Sequence, residues 1–184
     1  PEIKSGGAGR KAGGLTIVAM YSKIGFILVL MSSVLSAQTE EEARIESVLD
    51  AWHLAAAEAQ FDAYFNLMTP DAVFIGTDAA EHWSKEAFMQ FCKPYFDKGK
   101  AWDFTAVQRH VYISDDGKMA WFDELLNTWM QLCRGSGVLI NTPKGWQIKH
   151  YVLSLTVPND SIQSVIDLKK EADLQFLTLL SAQD

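Results

Sequence analysis

The chain has 184 residues, 48% of them hydrophobic and 21% charged, which is enough for one domain with its own core and excludes a disordered or collagen-like polymer. The net charge is −7, and removing Lys4, Arg10, Lys11 and Lys23 with the N-terminal stretch makes the remainder more acidic, so nucleic acid is a poor partner. Two cysteines, Cys92 and Cys133, stand in apolar surroundings without CxxC spacing; this excludes a cysteine-based metal motif and leaves buried thiols favoured over a single disulfide.

In chain order, the first feature is an apolar run from Ile24 to Leu35, preceded by Lys23 and followed by the small residues Ser36 and Ala37. A short positive region, an apolar middle and a small-residue exit form the pattern of a secretory signal. The run is too short to cross a hydrocarbon layer of about 30 Å comfortably, and polar Gln38-Thr39-Glu40 follows at once. Residues 1–37 are therefore read as a leader, cut near Ala37, with Met20 as a natural start and the Gly-rich segment from Ser5 to Gly14 upstream of the fold. No cysteine stands at the cut, so no lipid anchor is expected and the product is read as periplasmic or secreted.

The domain proper spans 38–160. Thr39 and Glu42 form a capping-box pattern, after which Ile45, Val48, Leu49 and Trp52 repeat at helical spacing. An alanine-rich continuation leads to a second, short helix carrying Phe61, Tyr64, Phe65 and Met68, ended by Thr69-Pro70-Asp71. Ala72 to Gly76 reads as a strand. Ser84 then caps a third helix whose stripe is Phe88, Phe91, Cys92, Tyr95 and Phe96, with Pro94 near its end.

From Trp102 the period changes from helical to alternating. Strands are expected at about 103–113, 118–129, 134–141 and 146–156, with Asp116-Gly117 and Lys144-Gly145 at hairpin turns that make neighbours antiparallel. Ile162, Val165, Ile166, Phe176, Leu177 and Leu180 then predict a terminal helix within an extension over 161–184. The fold class is α+β.

This order, with the wording FIGTDAAEHW at Phe74 to Trp83, MAWFDE at Met119 to Glu124, CRGSGVL at Cys133 to Leu139 and GWQIKHYVLSLTVPND at Gly145 to Asp160, resembles the SnoaL-like domains of the nuclear transport factor 2-like superfamily. The resemblance implies a cone: a strongly curved, mostly antiparallel sheet wrapped around about three N-terminal helices, with a pocket at the open end. It also implies that the outer sheet face pairs with a second subunit. The last strand carries apolar residues on both sides, Trp146, Ile148 and Val152 on one and Tyr151, Leu153 and Leu155 on the other, which agrees with a covered outer face and a homodimer.

Pairing across the Asp116-Gly117 turn sets Arg109 opposite Glu124 and His110 opposite Asp123. The face carrying Val107, Arg109, Val111 and Ile113 with Ala120, Phe122, Glu124 and Leu126 is then apolar apart from one ion pair, which is costly to bury unless fully hydrogen-bonded; a functional role and a structural cross-strand bridge both stay open for it. The second hairpin sets Ser136, Val138 and Ile140 beside Val152, His150 and Ile148, making His150 an interior candidate, with Arg134 near Ser154. His150 and Glu124 are the candidates for proton transfer. Arg109 and Arg134 suit an anionic group, and Trp52, Tyr64, Phe74 and Trp83 suit the apolar body of a small ligand. Asp78 and Glu81 lie where the resemblance puts part of the pocket rim.

The Asp base with tyrosine and neutral Asp of a ketosteroid isomerase is not matched, and Arg109 and Asp123 are only fragments of an epoxide-hydrolase set. No metal spacing, serine nucleophile motif or phosphate loop is visible, and no cofactor is expected. Two readings stay open: a cone pocket for a small, partly apolar organic ligand, neutral or anionic, with or without acid-base activity of isomerase, dehydratase or cyclase type, and a non-catalytic homodimeric association module.

Overall fold

The computed structural model describes residues 39–182, so the segment read as leader and its cut lie outside the described residues. A compact unit begins at Glu42. Helix α1 runs over 39–57 and buries Ile45, Leu49, Trp52, Ala55 and Ala56, the stripe that the helical period predicts. Ala59, at φ 55°, ends that stretch in the left-handed region before α2 (Phe61–Asn66). The next strand, β1 (Met68–Ile75), starts earlier than the sequence suggests. Met68 is its first residue and not the last of a helix; Pro70 falls in the gap between the paired residues Met68 and Val73, where a missing amide costs no ladder bond.

After β2 (His82–Ser84), Ser84 Oγ accepts the Ala87 amide at 3.3 Å and caps α3 (Lys85–Phe96), which carries Pro94 in its last turn. Four long strands follow: β3 (Thr105–Ile113), β4 (Met119–Thr128), β5 (Gln131–Thr142) and β6 (Gly145–Leu155). The sheet order is β2-β1-β6-β5-β4-β3, antiparallel except for the parallel β1–β6 pair. A short 3-10 turn, Asn159–Ser161, leads into α4 (Ile162–Ser181), none of whose residues is buried.

Helices and inner sheet face share one core, in which Trp52, Tyr64, Phe74, Phe88 and Tyr151 stack or meet edge to face. Register shifts in β3–β4, β5–β6 and β1–β6 mark where the strands bend to follow the helices. Cys92 and Cys133 are both buried free thiols. No helix among the described residues is long and apolar enough to cross a membrane.

Candidate functional site

The β3–β4 hairpin sets Arg109 against Glu124 and His110 against Asp123, the pairing that the turn residues predict. One position differs: Val107 is extruded by a bulge and half-exposed, and Ala106 takes the inner place opposite Leu126. Glu124 is wholly buried, so its charge must be met by protein groups. Its Oε1 accepts from His53 Nε2 at 2.8 Å and from the Tyr151 hydroxyl at 3.2 Å. Its Oε2 accepts from Arg109 Nε at 2.9 Å; Arg109 Nη2 lies equally near that oxygen without the alignment of a hydrogen bond. Arg109 Nη1 reaches the Asp50 carboxylate at 2.7 Å and the Glu46 carbonyl at 3.4 Å, so α1 closes the cluster from above the sheet.

Burial works to raise the Glu124 carboxyl, but the hydrogen bond from His53 and then the charge and hydrogen bond of Arg109 outweigh it and hold the group below the ordinary carboxylate range. The Tyr151 phenol is pushed well up, first by burial and then by Glu124 beside it. An ionised carboxylate only accepts, so a neutral His53 must carry its proton on Nε2. Its Nδ1, with no hydrogen-bond partner among the described residues, is left with a lone pair. His53 lines a cavity of about 260 Å³ with Asp50, Leu54, Ala57, Asp103, Phe104, Thr105 and Ala106. A carboxylate fixes the tautomer and ring of a histidine that lines this cavity, which is how a base is oriented.

Phe104 is also a wall of a second cavity, about 220 Å³, formed with Phe74, Trp83, Phe88, Phe91, Tyr95, Ala101, Trp102, Trp129 and Leu153. Phe74 and Trp83, read from sequence as ligand contacts, line this one. Trp52 and Tyr64 line neither; they are buried behind it, Trp52 against Phe74 and Tyr64 against Phe88 and Trp102, with their indole nitrogen and hydroxyl unpartnered.

Two candidates are corrected. His150 was expected inside with Ile148, but an extra residue in β6 opposite the Val138–Leu139 step moves the inner face from Trp146 and Ile148 to Tyr151 and Leu153. His150 and Val152 therefore lie on the outer face, and Tyr151 takes the inner place beside Glu124. Arg134 is half-exposed on that same outer face, where Nη1 bonds Asp123 at 3.0 Å near His110. The inner positions of β5 belong to Cys133, Gly135, Gly137 and Leu139, and Ser136, Val138 and Ile140 face outward. Asp78 and Glu81 bond their own loop: Asp78 Oδ1 accepts from the Ala80 amide, and Glu81 Oε2 from the Asp78 amide.

His53, Tyr151 and Asp50 are the members of the cluster that the sequence did not reveal. A signal for His53 was present, because it stands four residues after Leu49 and next to Trp52 on the buried stripe of α1, where a titratable side chain is out of place. No group of three or more His, Cys, Asp or Glu side chains among the described residues is placed to hold a metal ion.

A family model described as SnoaL-like domain matches residues 45–158. Among solved structures, an NTF2-like protein of unknown function from Pseudomonas putida KT2440 is similar at 17% identity and TM-score 0.56, over 67% of this chain and 92% of that one. A protein from Streptomyces avermitilis, provisionally described as a dehydratase of the NTF2-like family, is similar at 16% identity and TM-score 0.57, over 66% and 99%. One from Novosphingobium aromaticivorans, provisionally described as an aromatic ring hydroxylase, is similar at 17% and 0.57, over 65% and 92%. Comparison with functionally curated proteins gives no match. With the family match covering more than half of the chain and the same curved sheet in these structures, the chain belongs to the SnoaL-like family of the nuclear transport factor 2-like superfamily.

Proposed function

We propose that this domain binds a small, partly apolar organic molecule at the two cavities that share Phe104, and that His53, oriented by Glu124, exchanges a proton with it. The observation that carries the reading is the 2.8 Å bond from His53 Nε2 to a carboxylate with no exposed surface, which leaves Nδ1 without a hydrogen-bond partner among the described residues, on a ring that lines the cavity. No lysine or arginine lines either cavity, and Arg109 is spent on Glu124 and Asp50, so the ligand offers an acidic proton and not an anionic group. Isomerisation or dehydration beside an aromatic or apolar body fits a single oriented base; dehydration is also the reaction in the name of the similar Streptomyces protein.

The same proposal includes export, on the strength of the leader pattern before Ala37, and a homodimer through the outer sheet face. Tyr112 and Trp121 stack there at 5.7 Å while half-exposed, beside exposed Met119. That face also supports the second reading, a non-catalytic association module, since the space between sheet and helices around Glu124 is filled by side chains.

Native mass spectrometry of the exported protein separates the two. A small molecule retained by the wild type and lost from His53→Gln and Phe104→Trp supports ligand binding at this site. A ligand-free dimer of unchanged behaviour in all three favours association.

A further inference from the structure

A third cavity, about 340 Å³, lies at the far side of the sheet's N-terminal strand, bounded by Asn66 at the end of α2, Met68 and Pro70 of β1, Lys85 at the start of α3, and the β5–β6 turn with Pro143 and Lys144. Its size falls within the ordinary range for small-molecule sites. Its charge is anomalous for so acidic a chain. Lys85 Nζ donates to the Met68 carbonyl at 3.0 Å and has donors to spare, and neither Lys85 nor Lys144 has a carboxylate at ion-pair distance among the described residues. Lys85 is also the first residue of a 12-residue helix, at the positive end of its dipole, where a cation is unfavourable. Glu86, next in that turn, does not pair with it. Burial and then the Lys144 charge lower the Lys85 ammonium below its ordinary value, so the two cations feel each other across the cavity.

Two lysines without a carboxylate partner among the described residues, one at a helix start and one at a hairpin tip, line the same space, and that is an arrangement an anion relieves. We infer that this cavity binds the phosphate group of a small phosphate monoester, with Lys85 and Lys144 on its oxygens and Met68, Pro70 and Pro143 against the organic part. Two positive charges match a dianion better than a carboxylate. The volume leaves room beyond the phosphate itself, and the apolar walls serve that remainder. The site is separate from the Glu124 cluster, so it stands or falls independently of the reading above.

Isothermal titration of the full chain with glycerol phosphate, inorganic phosphate and acetate tests this. The expected result is saturable binding in the order monoester, inorganic phosphate, acetate, weakened about tenfold or more by Lys144→Met alone and abolished by Lys85→Met/Lys144→Met, while Lys118→Met at the other hairpin leaves it intact. Lys144 is exposed at a turn, so its single variant keeps the fold. Absence of saturable binding, equal binding of all three anions, or full binding by the Lys144→Met protein would overturn the inference.

Discussion

Glu124 keeps its charge in an apolar interior because three side chains, from α1, β3 and β6, aim donors at its two oxygens. Replacing it by Gln leaves Arg109 buried against a neutral amide, and loss of one partner of a buried pair costs about 3–5 kcal/mol, measurable by urea denaturation. The acid limb carries a second signature. The folded carboxyl titrates below its ordinary value of 4.5, so the unfolded chain binds more protons between the two values. The stabilisation is therefore complete above about pH 4.5 and is lost as pH falls through the folded value. Asp71 and Asp116, also lowered but fully exposed, act alike in both proteins, so a flatter acid limb in Glu124→Gln than in wild type isolates Glu124. Parallel limbs would contradict an ionised buried carboxylate. The Arg109–Glu124 half of this cluster was legible because a short turn fixes register. His53 was not read, because nothing in the linear order says which helix covers which strand.

At the scale of elements, strand alternation predicts faces only until a bulge interrupts it. The extra residue in β6 turned His150 outward and Tyr151 inward, and no glycine or proline in Lys149-His150-Tyr151 marks the place. The compensating mark lies on the neighbouring strand. A Cβ on Gly135 would stand 2.3 Å from the Tyr151 hydroxyl and 2.9 Å from Glu124 Oε1, so glycine there makes room for the cluster. Gly135→Ala should cost about 1–3 kcal/mol through overpacking. Tyr151→Phe removes the nearest atom but not the ring carbon or carboxylate, so the double variant should lose less than the sum of the singles, by about 0.5 kcal/mol or more. Strict additivity in denaturation midpoints would mean that Gly135 does not shape this site.

For the molecule as a whole, the helical first half and the sheet second half were readable from the change of period at Trp102, whereas the family rests on the match over residues 45–158. What the two sheet faces do was less readable, because apolar residues on both sides fix burial and not its partner. Trp121→Glu on the outer face is predicted to shift the protein from dimer to monomer in sedimentation equilibrium while leaving the buried cluster intact. A dimer of unchanged stability would direct attention to α4, whose Leu168, Leu177 and Leu179 are exposed.

The proposed chemistry needs a cavity-lining histidine whose proton is fixed on one nitrogen by a buried carboxylate. Long-range proton–nitrogen correlation spectra of the imidazoles read this directly near neutral pH. The neutral His53 ring is predicted to hold its proton on Nε2 with an unprotonated Nδ1, and that preference should vanish in Glu124→Leu, which has no acceptor to offer it. A proton on Nδ1 in the wild type, or a tautomer indifferent to residue 124, would contradict it.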